Sequence, residues 1–180
     1  DETYNWLRKK NRLYEDQLNH LRKYKVTFQN QLSICFPGYL DLFKDGYSDI
    51  PMTILKKYPH PDLLKNKKAE TVARYLEKNT CHNHKVSLEY ALKIIEFAKK
   101  TYPGCEKDDV EVEIFKILLD KVIETQRECE KTLNEMITVA STLEEYRYIS
   151  SIDGIGPNLA ARIIAEIGDI EEFKSREALV

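Results

Sequence analysis

Glycine and proline are scarce in this chain, with six of each among 180 residues. That scarcity argues against a sheet with many tight turns and favours long helices. Apolar runs are short. None approaches the roughly eighteen residues of a membrane-spanning helix, and no signal-peptide pattern opens the chain, so a membrane role is not expected. Cysteine is present but unpaired in spacing: Cys35, Cys81, Cys105 and Cys129 are scattered. That excludes a disulfide framework and predicts reduced thiols in a cytosolic protein. Charge of one sign is missing too. The 28 Lys and Arg residues against 30 Asp and Glu give a net charge of −2 and a pI near 6.2. Without a global basic signature, any contact with nucleic acid must be local. The first residue is Asp1, not methionine, and the chain is expected to be a segment of a longer protein.

What is present is periodicity. Leu7, Asn11, Tyr14, Leu18, Leu21, Lys25, Phe28, Leu32 and Cys35 recur at alternating steps of four and three. This is the seam of a coiled coil, with Asn11 and Lys25 as polar interruptions that can fix register and partner. Phe36-Pro37-Gly38 ends the segment, because proline cannot continue a helix. Val112, Phe115, Leu119, Val122, Gln126, Cys129, Leu133, Met136, Ala140 and Leu143 form a second seam. Asp108, Asp109, Glu111 and Glu113 crowd its start, where carboxylates suit the positive end of the helix dipole. Two such seams predict either an antiparallel hairpin or pairing of each seam with a second copy of the chain; periodicity alone does not choose. The residues proposed for an oligomer seam are Leu7, Leu18, Leu21, Phe28 and Leu32 with Phe115, Leu119, Val122, Leu133 and Met136.

Between the seams, Pro51, Pro59, Pro61 and Pro103 punctuate a stretch expected to hold short helices at 50–58 and 69–78. A longer helix is expected from Ser87, a good N-cap, with Leu88, Ala91, Leu92, Ile95 and Ala98 on one face. Cys81 and His84, with His82, His60 or Cys105, invite a zinc reading. A structural zinc site needs four ligands, usually as two close pairs, and no second pair exists, so no metal is expected. The acids at 108–113 mix helix faces and are explained by the helix start rather than by magnesium. Two basic rims, Lys56, Lys57, Lys65, Lys67 and Lys68 in the insert and Arg8, Lys9, Lys10 and Arg12 near the start, are solvated faces or phosphate contacts. No nucleophile–base arrangement has supporting context.

The stretch "SSIDGIGPNLAARIIAEIGD", Ser150 to Asp169, differs in kind. Ile149, Ile152, Gly154, Ile155, Gly156, Ala160, Ile163 and Ile164 follow a helix-hairpin-helix pattern. Its glycines permit a tight turn and close approach of backbone N–H groups to an oxygen. Gly156 falls at the cap and Pro157 at the first helical position, where its missing N–H costs nothing. The following helix is expected to bury Ala160, Ile163, Ile164 and Ile167 and to leave its free N–H groups for an anion. Gly154, Ile155, Gly156, Pro157, Asn158 and Arg162 are the candidate DNA-backbone contacts, which would grip phosphate without reading bases. Asp153 and the acids Glu166, Asp169, Glu171, Glu172 and Glu177 add negative charge nearby. Arg162 has a rival partner in Glu166, one turn on.

The residues Gly154-Ile155-Gly156, Ala160-Ala161, Glu166-Ile167-Gly168-Asp169, Phe173, and Ser175 with Leu179 together resemble the start of the C-terminal domain of IS110-family insertion-sequence transposases, of the DEDD type with a nucleophilic serine. Upstream, "LRKKNRLYEDQL", "FPGYLDLF" and "ILKKYPHPDLL" are similar to that family's helical region. The resemblance implies a RuvC-like nuclease domain whose four acids and magnesium-class metal lie before Asp1, and a catalytic serine beyond Val180. Ser150, Ser151 and Ser175 do not match that serine, so no catalytic residue, metal or cofactor is expected in this segment, which alone should be inactive. It also implies a bacterial cytoplasm, DNA as partner, a guide RNA encoded by the element, and a homo-oligomeric assembly.

The expected architecture is all-α: a coiled-coil helix over 1–36, a small helical insert over 37–109, a second coiled-coil helix over 110–145, and a helix-hairpin-helix over 146–180 that opens a further domain. Two other readings stay open, a coiled-coil scaffold without nucleic acid and a DNA-repair factor using the same hairpin.

Overall fold

A computed structural model describes residues 2–168. Every regular element among them is helical: α1 Glu2–Cys35, α2 Asp49–Lys57, α3 Ala69–Asn79, α4 His84–Lys100, α5 Val110–Ala140, α6 Glu144–Ser150 and α7 Pro157–Ile167, with short 3-10 turns at Tyr39–Leu42 and Pro61–Leu63. Asp169, Glu171, Glu172, Phe173, Ser175, Glu177 and Leu179 lie outside the described residues. No helix among the described residues is long and apolar enough to cross a membrane. The helices form two compact units, Lys23–Ile123 and the described parts of Asp1–Arg22 with Glu124–Val180.

In the unit Lys23–Ile123, the second half of α1 runs antiparallel to the first half of α5. The Phe28 and Phe115 rings meet at 5.3 Å between centroids, and Gln31 Nε2 donates to the Glu111 carbonyl at 3.0 Å. Leu32, Leu119 and Val122 are buried beside them. Lys25, a polar step of the seam, lays its Nζ 4.0 Å from the centroid of the Tyr47 ring. The insert has an aromatic core of its own, in which Tyr39 is fully buried, packs on Phe36 and Phe43, and donates its hydroxyl to the Pro51 carbonyl at 2.9 Å. Gly104 donates its amide to Ile34 O at 2.8 Å and sets Cys105 Sγ 3.9 Å from Cys35 Sγ. All four cysteines are free, and burial, reinforced by Cys105, pushes the Cys35 thiol up to about 12.

In the other unit, the start of α1 packs antiparallel on the end of α5. Lys10 pairs with Glu135 at 2.6 Å, and the Tyr4 hydroxyl donates to Glu145 at 2.9 Å. Tyr4, Leu7, Met136 and Ala140 meet Ala161, Ile164 and Ala165 of α7 in one core, with Trp6, Tyr14, Leu143, Tyr146 and Ile149 packed around it. Leu21 is buried, and Leu18 and Leu133 are half-buried.

Three local expectations are corrected. Helix α4 begins at His84, not at Ser87: Asn83 Oδ1 accepts from the Val86 amide at 3.0 Å and caps it, while Ser87 is buried inside the first turn. Its buried stripe is Ser87, Ala91, Ile94, Ile95 and Ala98, so Ile94 replaces Leu92, which is 56% exposed. On α5, Thr125 and Thr132 are buried where Gln126 and Leu133 were expected, while Phe115, Val122, Cys129 and Met136 keep their seven-residue spacing, so the second row of the seam lies one residue earlier along this stretch. Of the residues named for an oligomer seam, Leu7, Phe28, Phe115, Val122 and Met136 are fully buried within the single chain.

Candidate nucleic-acid interface

The glycine turn links α6 to α7. Ser150 Oγ donates to the Tyr146 carbonyl at 2.6 Å at the end of α6. The chain then reverses through Ile152-Asp153-Gly154-Ile155, closed by Ile155 N–H donating to Ile152 O at 3.0 Å. Gly154 has φ +89°, whereas no residue other than glycine has positive φ among those described. That combination is a type II turn, whose third position demands glycine and whose second, here Asp153, commonly takes proline.

Gly156 is different. Its φ of −81° and ψ of 172° are open to any residue. A Cβ added there, or at Gly154, would meet no atom within 4 Å. The fold therefore requires glycine at 154 for its backbone angle and does not require it at 156. Pro157 occupies the first turn of α7, and Ala160 N–H closes that turn on Gly156 O at 3.0 Å. The amides of Asn158 and Leu159 have no intrahelical acceptor by position, and no side chain caps them. Gly154, Gly156, Pro157 and Asn158 are exposed and Ile155 is half-buried, so five of the six candidate backbone contacts form one accessible loop.

Arg162, the sixth, is placed elsewhere. Its guanidinium pairs with Glu15 and lies 5.5 Å from the centroid of the Tyr14 ring. Its rival partner from the sequence, Glu166, instead accepts from Asn11 Nδ2 at 2.5 Å. The polar interruption Asn11 thus holds α7 against α1, and Arg162 positions the same helix. Helix α7 buries Ala160, Ala161, Ile164 and Ala165 rather than Ile163 and Ile167. Small residues bring it close to its neighbours. Ile163 and Ile167 are half-buried and line a groove of about 500 Å³ with Leu159, Asn11 and Glu15. Glu15 escaped the sequence reading because it sits beside the apolar seam, and only the three-dimensional approach of α7 gives it a partner.

Among the described residues, no three His, Cys, Asp or Glu side chains come together as metal ligands. His82 faces Asp49 at 3.2 Å and His84 faces Glu77 at 2.8 Å. His60 is fully buried: its Nδ1 accepts from the Asp62 amide at 3.2 Å, and its Nε2 lies 3.0 Å from the Cys105 carbonyl. Hydrogen bonding to Glu77, together with the charge of Glu70, raises the His84 pKa above the ordinary imidazole value. Because the folded pKa is raised, the clamp between α3 and α4 is complete below the ordinary imidazole pKa and is lost as pH rises through the raised one. An NMR titration should place the His84 midpoint above that of a free histidine, and Glu77→Gln should lower it. A midpoint unchanged by that substitution would remove the clamp.

The residues of the turn and of α7 are also those that compare with known proteins. Residues 146–180 match the model of the Transposase IS116/IS110/IS902 family. The transposase match starts inside α6 and takes in the whole glycine turn and α7, whereas α1–α5 precede it. It meets the resemblance read from Gly154-Ile155-Gly156 and the residues after them. No curated protein and no solved structure matches the chain.

Proposed function

We propose that this chain is the linker and assembly region of a DNA transposase, and that its glycine turn holds the DNA backbone. The single observation that carries the phosphate grip is Gly156: a glycine that the fold does not require, exposed at the start of a helix with uncapped amides. A phosphate oxygen brought against those amides would use the room left by the absence of a side chain at 156. In this reading the buried core beneath α7 sets the turn rigidly, and Arg162 acts as a positioning residue through Glu15 rather than as a phosphate ligand. Assembly with further copies would use outward positions such as Val110, Ile114 and Ile117, an exposed aliphatic stripe at helical spacing on α5.

The test is Gly156→Val. Valine has room, and a poorer cap costs at most about 2 kcal/mol, so the fold should persist. Affinity for duplex DNA should fall roughly tenfold or more, the value of losing a hydrogen bond to a charged group, with the salt slope kept because no cation is removed. Gly154→Val should instead disturb the turn itself, because its backbone angle disfavours a side chain. Undiminished, salt-dependent binding by a folded Gly156→Val protein would end the phosphate-grip reading. The scaffold reading, favoured by the exposed carboxylate of Asp153 in the turn, would take its place if the parent chain bound no DNA at all.

A further inference from the structure

We propose that the unit Lys23–Ile123 carries a second nucleic-acid surface, a seat for single-stranded DNA formed by the C-terminal end of α4, the segment entering α3, and Tyr102. A groove of about 580 Å³ lies there, lined by Lys67, Lys99 and Lys100 with the exposed face of Leu92. Its one carboxylate, Glu96, is paired with Lys100 at 2.8 Å. Lys67 and Lys99 stand in no ion pair among the described residues. In Lys23–Ile123 basic residues outnumber acidic ones, the reverse of the 28 to 30 in the whole chain.

Two lysines at the end of a helix are ordinarily explained by the helix dipole. That explanation covers Lys99 and Lys100 but not Lys67, which reaches the same groove from a different element, nor the uncovered Leu92. It does not cover Tyr102 either. This ring is 89% exposed, two residues beyond Lys100. Its backbone is held on both sides: Thr101 Oγ1 donates to Phe97 O at 2.8 Å, and after Pro103 the Gly104 amide is bound to Ile34 O at 2.8 Å. An aromatic ring presented to solvent from a pinned segment, two residues after the lysine-bearing end of α4, supplies a face on which an unpaired base stacks while the backbone follows the positive charge. Bases in a duplex are already stacked on one another and cannot use the ring. The choice of DNA among polyanions rests on the transposase reading; the groove and the ring do not.

The experiment measures binding of the 180-residue chain to a mixed-sequence single-stranded DNA oligonucleotide, to the same-length duplex and to the same-sequence RNA, by fluorescence anisotropy across a salt series. The single DNA strand should bind several-fold more tightly than the duplex and no more weakly than the RNA. The triple variant Lys67→Gln, Lys99→Gln, Lys100→Gln should reduce the slope of log affinity against log salt by about 2. Tyr102→Ala should weaken binding about five- to a hundredfold with the slope kept, and Tyr102→Phe should restore it. All four positions are exposed, so folding should survive, and circular dichroism checks that. Unchanged single-strand affinity in both the triple variant and Tyr102→Ala overturns the seat, as does tighter binding of the RNA, or tighter binding of the duplex by the Gly156→Val protein. A loss seen only in Gly156→Val would also overturn this seat while leaving the glycine turn. A loss of single-strand affinity in the lysine and tyrosine variants, with duplex affinity unchanged in Gly156→Val, would support the seat and remove the turn.

Discussion

Phe115→Ala is expected to destabilise the protein by about 3–5 kcal/mol. Phe115 is fully buried, its ring sits 5.3 Å from that of Phe28, and Phe28 packs in turn on Tyr47 at 5.9 Å. Truncation removes the apolar surface of one ring and leaves a cavity that the neighbouring helix backbones cannot fill. The Phe28 ring also loses the aromatic partner that adds about 0.5–1.5 kcal/mol beyond area burial. A lower urea midpoint, with faster amide exchange in Lys23–Ile123, is the expected reading. Phe115→Leu keeps most of the volume and should cost much less. Equal losses for alanine and leucine would show that the ring pair does not set the stability of this unit.

The second large effect is Leu7→Ala, at about 2–5 kcal/mol. Leu7 is completely shielded among Tyr4, Met136, Ala140, Ala161, Ile164 and Ala165. It shares one core with Ala161, Ile164 and Ala165 of α7, so the loss should fall on the support of the glycine turn as well as on α1. For a chain of this size the melting temperature should drop by roughly 4–20 °C. Exchange at the α7 amides should accelerate along with that of α1. A melting temperature within one or two degrees of the parent would mean that α7 is held by its polar contacts, Arg162 with Glu15 and Asn11 with Glu166, and not by this core.

Helical order was legible in the sequence because its signals are local. Apolar spacing marked α1 and α5, Pro37 and Gly38 marked the end of the first seam, and Gly156-Pro157 marked the start of α7. What escaped was phase and partner. Leu92 and Ile94 are equally apolar, and which of them faces inward depends on the helix against which α4 packs. Thr132 is less apolar than Leu133, yet Thr132 is the buried one and Leu133 is half-buried. Arg162 illustrates the same limit at the candidate site. Its sequence neighbours offered Glu166, while its partner Glu15 lies 147 residues away. The open Cβ site of Gly156 cannot be read from sequence at all, since a glycine needed for its backbone angle and one left bare for a ligand are spelled alike.

The pairing of α1 with α5 has a consequence for the order in which the chain acquires its structure. At translation rates of about 5–20 residues per second, the stretch separating Cys35 from Val110 takes roughly 4–15 seconds to emerge. Through that interval Leu7, Phe28 and Leu32, which the finished fold hides almost completely, have no α5 to cover them. Over that interval the apolar face of α1 is open to chaperones, and to premature association with the same helix on a neighbouring ribosome.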